Sequence, residues 1–195
     1  YTCTITKYNG HATNVTIPST IYGNKVCKIG YDSFCDNNNI ISVTIPNSVK
    51  VIDSEAFADC YSLSTVTFSG NLKTIGGGAF RNTNLKKVTI PNSVTEIGGY
   101  AFSGCENLSS LTLSNKLDSI GKCCFDNCIS LTSVNLPNSV TFVNWGAFGG
   151  CSSLKTVSIG SGLKDCDTQG GGSFFIFSGC TAPVSYTHLR AHETC

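Results

Sequence analysis

Apolar residues return along this chain at a fixed interval. Phe recurs at Phe34, Phe57, Phe80, Phe102, Phe125 and Phe148, with gaps of 23, 23, 22, 23 and 23 residues. A second series, Val43, Val66, Val88, Leu111, Val134 and Val157, keeps the same beat. The unit reads V-T-I-P-N-S-V-x-x-I-G-x-x-A-F-x-x-C-x-x-L-x-x, and its clearest copy runs over 88–110. V-T-I alternates in-out-in, which is strand periodicity, and the following Pro closes the strand because it has no N–H for a ladder. Val94 and Ile97 are three apart, with Gly98 as a turn residue. The A-F-x-x-C-x-x-L spacing of about 3 to 3.6 predicts a short helical or 3₁₀ turn.

No single unit is long enough to bury its own apolar face. Stacked units hide one another's, so equivalent residues form layers up a common axis. The predicted fold is a repeat solenoid of about six or seven coils. It carries a parallel β-sheet on one face, and short 3₁₀ or helical turns and loops on the other. Coils about 4.8 Å apart give a stack about 30–35 Å long. Residues 1–14 show no repeat and read as an N-terminal cap or irregular edge, and 15–183 as the solenoid. The first coil is long, 28 residues from Val15 to Val43. The last takes 20 residues from Val157 to Phe177 and includes Gly170-Gly171-Gly172, a predicted surface loop.

The repeat closely resembles the BspA-like leucine-rich repeats. Their pattern, Leu-x-x-Val-Thr-Ile-Pro-x-Ser-Val-x-x-Ile-Gly-x-x-Ala-Phe-x-x-Cys-x-x-Leu, matches 43–65, 88–110 and 134–156 almost position by position. Weaker copies lie at 66–87, 111–133 and 157–180. The resemblance implies a right-handed solenoid of leucine-rich-repeat type. It further implies a cell-surface or secreted protein that adheres to host proteins or to neighbouring cells. It supplies no catalytic residues. The alternative is a structural spacer or intracellular scaffold with no ligand of its own, and solenoids of one type host many ligands.

The tail breaks the pattern. Residues 184–194, VSYTHLRAHET, fit no coil position and resemble the translation of an adapter used in transposase-based sequencing libraries. Residues 184–195 are therefore read as an artefact, which removes the H-x-x-x-H pair of His188 and His192, beside Cys195, as a metal site. The chain also starts at Tyr1 without any Met and reads as a fragment or processed form.

Charge narrows the functions. Lys+Arg of 13 against Asp+Glu of 12 gives a net charge of +1, which offers no footprint for nucleic acid. No apolar run approaches the ~20 residues of a membrane span. Twelve Cys invite a disulfide or zinc reading, but Cys60, Cys105, Cys128, Cys151 and Cys180 each sit three residues after a repeat Phe. They read as the unit's small buried hydrophobe. Cys123-Cys124-x-x-x-Cys128 lacks a second ligand pair or a His for zinc. Cys124 takes a packed Ala position and Cys123 an exposed one. A cap bridge, Cys27–Cys35 or Cys3–Cys27, is left open, and Cys166 lies off the ladder. Outside the tail only His11 remains, and no nucleophile has a base placed by motif, so the chain is not read as an enzyme. No cofactor and no metal is expected. Asn14 and Asn107 begin glycosylation sequons by pattern alone. Trp145 takes a variable surface position, as a partly covered side chain or an aromatic anchor.

The candidate binding face is the outward side of the V-T-I strands. Its residues pair as Ser42 and Thr44, Thr65 and Thr67, Lys87 and Thr89, Ser110 and Thr112, Ser133 and Asn135, Thr156 and Ser158. These make two columns of short hydroxyl side chains, suited to hydrogen bonding with a protein or glycan partner. Thr also favours strands in its own right, and a solvated sheet face needs polar residues. Ice binding needs Thr at both sites of every coil, and only the Thr65–Thr67 coil has it.

Overall fold

The computed structural model describes residues 1–166, 176–180 and 185–187. The chain forms a parallel-strand solenoid of about seven turns with almost no helix. One series of strands carries the V-T-I segments: β2 (Asn14–Thr16), β5 (Ser42–Thr44), β7 (Thr65–Thr67), β9 (Lys87–Thr89), β11 (Ser110–Thr112), β13 (Ser133–Leu136) and β15 (Thr156–Ile159). Register follows the repeat: Val15 faces Val43, Val43 faces Val66, Val88 faces Leu111 and Val134 faces Val157.

A second series, which the sequence pattern does not announce, lies on the V-x-x-I segments. It comprises β1 (Thr2–Ile5), β4 (Asn24–Ile29), β6 (Val51–Ile52), β8 (Thr74–Ile75), β10 (Glu96–Ile97), β12 (Ser119–Ile120), β14 (Phe142–Val143) and β16 (Asp165–Cys166). Here Ile29, Ile52, Ile75 and Ile97 stack in register, as do Ile120 and Val143. Most of these strands are two residues long, too short to show alternation, although Ile52, Ile75, Ile97 and Ile120 are all buried.

Between the two series runs the aromatic column. Phe57, Phe80, Phe102, Phe125 and Phe148 are each 0% exposed. Ring centroids step by 4.8 Å from Phe34 to Phe57, 5.2 Å to Phe80, then 5.4 Å to each of Phe102, Phe125 and Phe148. The near-parallel rings take the coil spacing as their offset, and full burial of each contributes about 1.5–3 kcal/mol. Phe177 continues the column at 5.7 Å, and Tyr8 closes its first end, stacked on Phe34 at 4.9 Å. The non-repeating N-terminus thus adds β1 to the second ladder and a ring to the column. The five extra residues of the first coil go into an antiparallel hairpin of β3 (Thr20–Ile21) on β4, turning at Tyr22-Gly23.

The short turns expected on A-F-x-x-C form as a run of turns from Phe34 to Phe148, with a 3₁₀ turn at Ile176 and Phe177, and not as an α-helix. Residues two before and two after each Phe take positive φ: Asp32 and Asp36, Glu55 and Asp59, Gly78 and Asn82, Tyr100 and Gly104, Cys123 and Asn127, Gly146 and Gly150. A left-handed residue stops helix propagation, and the position two after each Phe is always Asp, Asn or Gly, the types that tolerate it best. The tail, expected to fit no coil position, contributes β17 (Ser185–Thr187), which pairs parallel with β15. The polar–aromatic–polar order of Ser185-Tyr186-Thr187 suits an extended strand, and β15 otherwise has an open edge. Gly170-Gly171-Gly172, His188, His192 and Cys195 lie outside the described residues.

Candidate binding face

The V-T-I strand buries Val and turns its neighbours outward, and β pairing sets the outward residues in register within three short sheets, β2-β5-β7, β9-β11 and β13-β15-β17. Ser42 lies opposite Thr65 and Thr44 opposite Thr67. Lys87 lies opposite Ser110 and Thr89 opposite Thr112. Ser133 lies opposite Thr156 and Asn135 opposite Ser158. All are exposed except Ser42 and Ser158, which are half-buried. The ladder also adds two residues that the sequence reading left out. Asn14 pairs with Ser42 and Thr16 with Thr44, and both are exposed. Their signal was the Val15-Thr16-Ile17-Pro18 opening of the long first coil.

The hydroxyls on this face differ in what they are free to do. Ser42 Oγ donates to Asn14 Oδ1 at 2.6 Å. In the neighbouring column Ser64 and Ser109 donate to the carbonyls of Ile41 and Lys86 in the preceding coil, both at 3.3 Å. Among the described residues, the hydroxyls of Thr65, Thr67, Thr89, Ser110 and Thr112 make no hydrogen bond within the protein. They keep a donor and acceptor capacity for a partner. Lys87, beside Lys86, is the basic step on the two columns, which contain no carboxylate.

The other candidates resolve differently. Trp145 is half-buried, with Lys122 Nζ 5.1 Å from its ring centroid, so one face of the indole is already covered. Cys123, expected to be exposed, is buried at 5%, because the next coil closes over it: its N–H donates to the Trp145 carbonyl at 2.9 Å. Burial pushes its thiol up. The cysteine ladder is more than apolar filling. Cys60, Cys105, Cys128 and Cys151 donate their thiols to the carbonyls of Phe34, Phe80, Phe102 and Phe125, at 3.0, 3.3, 3.4 and 3.3 Å. In the 22-residue coil Thr83 replaces Cys, and its hydroxyl donates to the Phe80 carbonyl at 2.9 Å. In the cap Cys3, Cys27 and Cys35 are free thiols. Cys27 donates to the Cys3 carbonyl at 3.5 Å and Cys3 to the Asn24 carbonyl at 3.6 Å, so the bridges left open there are not formed.

One cluster has ligand-like spacing. Cys35, Asp36 and Asp59 bring ligand atoms within 4.8 Å of one another. Asp59, however, already accepts from Arg81 at 2.8 Å and Asn82 at 2.7 Å. Burial and the surrounding carboxylates push Cys35 up to about 12, so its thiolate is not available. The group is an ion-pair network.

Comparison with known proteins agrees with this architecture. The model of the BspA type leucine rich repeat region matches in 6 copies, over residues 8–108 and 74–182. No curated protein matches the chain. Among solved structures, the pneumococcal vaccine antigen PcpA is 27% identical with a TM-score of 0.67, over 82% of this chain and 43% of that one. A leucine rich repeat protein of T. pallidum is 29% identical with a TM-score of 0.56, over 80% of this chain and 62% of that one. A leucine-rich repeat protein from Bacteroides ovatus is 24% identical with a TM-score of 0.64, over 91% and 51%. The chain therefore spans between 43% and 62% of the length of these three proteins. With the repeat model matching across nearly all of the described stack, the chain belongs to the BspA type leucine-rich repeat family.

Proposed function

We propose that this chain is a non-catalytic, protein-binding module of the adhesion type, displayed at a cell surface or secreted, with the two hydroxyl columns as its contact face. The observation that carries the reading is the set of exposed, uncommitted hydroxyls on Thr65, Thr67, Thr89, Ser110 and Thr112, on three successive V-T-I strands of which β9 and β11 pair in register. Away from Lys87, such a face meets a partner without the cost of stripping water from charged groups, and the rigid stack spends little entropy on binding. The antigen description of the pneumococcal relative supports display outside the cell.

The test is solid-phase binding of the chain to a panel of immobilised extracellular-matrix proteins. It is repeated with Thr67→Arg and Thr112→Arg introduced together, two coils apart on the exposed face. The expected result is saturable binding to at least one protein, weakened about tenfold or more by the pair, which corresponds to about 1.4 kcal/mol. The melting curve should stay unchanged. Binding that is absent, or equal in the variant, would show a spacer and not a recognition face.

A further inference from the structure

The non-repeating N-terminal segment builds a feature that the sheet face does not use. An open cleft of about 330 Å³ is lined by Tyr8, Asn9, Gly10 and His11 on one side and by residues 36–39 on the other. That volume is at the small end of the range for small-molecule sites. Its walls are mainly polar: Asn9, His11, Asp36, and the run Asn37, Asn38 and Asn39. Asn37 falls where later coils place the thiol that bonds the preceding Phe carbonyl. The first coil stacks on Tyr8 instead, and amides occupy the opened turn.

Hydrogen bonds fix how these amides face. The Asn39 N–H donates to Asn37 Oδ1 at 3.2 Å, and the Tyr61 N–H donates to Asn38 Oδ1 at 3.1 Å. An N–H can meet only the oxygen end of an amide, so both orientations are set. The two Nδ2 groups have no partner among the described residues and keep their donors. Asp36 receives the Cys35 thiol at 3.7 Å and keeps the rest of its acceptor capacity. Amide donors beside a carboxylate acceptor fit a diol, since one hydroxyl can donate to the carboxylate while its neighbour accepts from an amide. Asp36 and Asp59 oppose an anion, and Arg81, paired with Asp59 at 2.8 Å, opposes a cation. Tyr61, 58% exposed, stands one coil on, outside the residues that line the cleft. It is tethered by its N–H to Asn38 and by its hydroxyl to Asp59 at 3.3 Å.

We propose that this cleft binds the vicinal hydroxyls of a neutral pyranose sugar, through its amide donors and Asp36 and independently of the hydroxyl columns. The test is saturation-transfer difference NMR on the full chain with the methyl glycosides of mannose, galactose and glucose. Tetrahydropyran-2-methanol, a ring without a diol, is the control. The expected result is transfer to at least one methyl pyranoside with a dissociation constant of about millimolar. Affinity should fall about fivefold or more in Asp36→Asn. It should fall likewise in Asn38→Asp, which keeps the acceptor that holds Tyr61. The Thr67→Arg, Thr112→Arg pair should leave it unchanged, so this site and the sheet face fail separately. Absence of transfer from all three glycosides, equal transfer to the control ring, or transfer insensitive to both substitutions would overturn the proposal.

Discussion

Two glycines at the turns of neighbouring coils make opposite predictions. Gly98 directly follows the buried Ile97 of the second ladder, and Gly77 lies two residues after the buried Ile75. A Cβ on Gly98 would lie 2.5 Å from the Gly77 nitrogen and 2.9 Å from both Gly76 C and Gly77 Cα. All three are backbone atoms of the preceding coil, so no side chain can swing away. Relief to an ordinary contact of about 3.4 Å requires the coils to part by most of an ångström, against a spacing of about 4.8 Å. The bonds that span this junction, Gly98 N–H to the Ile75 carbonyl at 2.8 Å and Gly78 N–H to the Gly99 carbonyl at 2.9 Å, would stretch. Overpacking costs about 1–3 kcal/mol, each weakened bond about 1, and the stiffer unfolded chain returns about 0.4–1. Gly98→Ala should therefore lose about 2–4 kcal/mol. On Gly77 the added Cβ meets only the Gly99 carbonyl oxygen at 3.3 Å and Ser54 Oγ at 3.8 Å. Gly77→Ala should change stability by no more than about 0.5 kcal/mol. Urea denaturation followed by circular dichroism measures both. If the two variants melt together, the close approach of the coils at Gly98 is wrong.

Three further outcomes follow. Phe102→Ala, which removes one ring from between Phe80 and Phe125, should cost about 3–5 kcal/mol, and an unchanged urea midpoint would contradict its burial. Burial pushes the thiols of Cys60 and Cys105 up to about 11 and that of Cys151 up to about 12, so iodoacetamide at pH 8 should label Cys27 well before any of them. Mass spectrometry showing Cys105 labelled as fast as Cys27 would oppose this. Burial alone would raise Asp59, but hydrogen bonds from Asn82 and Arg81 outweigh it, and the hydrogen bond from Lys28 lowers Asp53. Both contributions are present above the ordinary carboxylate value of about 4 and are lost as pH falls through the lower folded values. Asp59→Asn should flatten the loss of melting temperature below about pH 4, and an unaltered slope would count against the network.

The layered core was legible because it repeats: Phe34 to Phe148 and Val43 to Val157 each announce one position per coil. The outward positions of the V-T-I strands could be read as well, but not the interruptions of pairing between β7 and β9 and between β11 and β13. Other features needed the structure for physical reasons. Two-residue strands such as Val51–Ile52 carry no period that a pattern can catch. The spacing of Ala101, Phe102, Cys105 and Leu108 fits a helix and a run of turns equally well. Asp36, Asp59, Asn82, Gly104, Asn127 and Gly150, two residues after each Phe, held the deciding signal for the turns. Cys123 was misplaced because its cover comes from the following coil, at Trp145 and Gly146. The N-terminal cleft joins a segment without repeat to the first turn, so no register could have placed its residues together.

The aromatic column aligns the coils and hence the hydroxyl face. The direct measurement is solution NMR of ring-to-ring Overhauser effects with the phenylalanines assigned. The account predicts an unbroken series of contacts from Phe57 through Phe80, Phe102 and Phe125 to Phe148. A missing link within that series, or a contact that skips a coil, would contradict it.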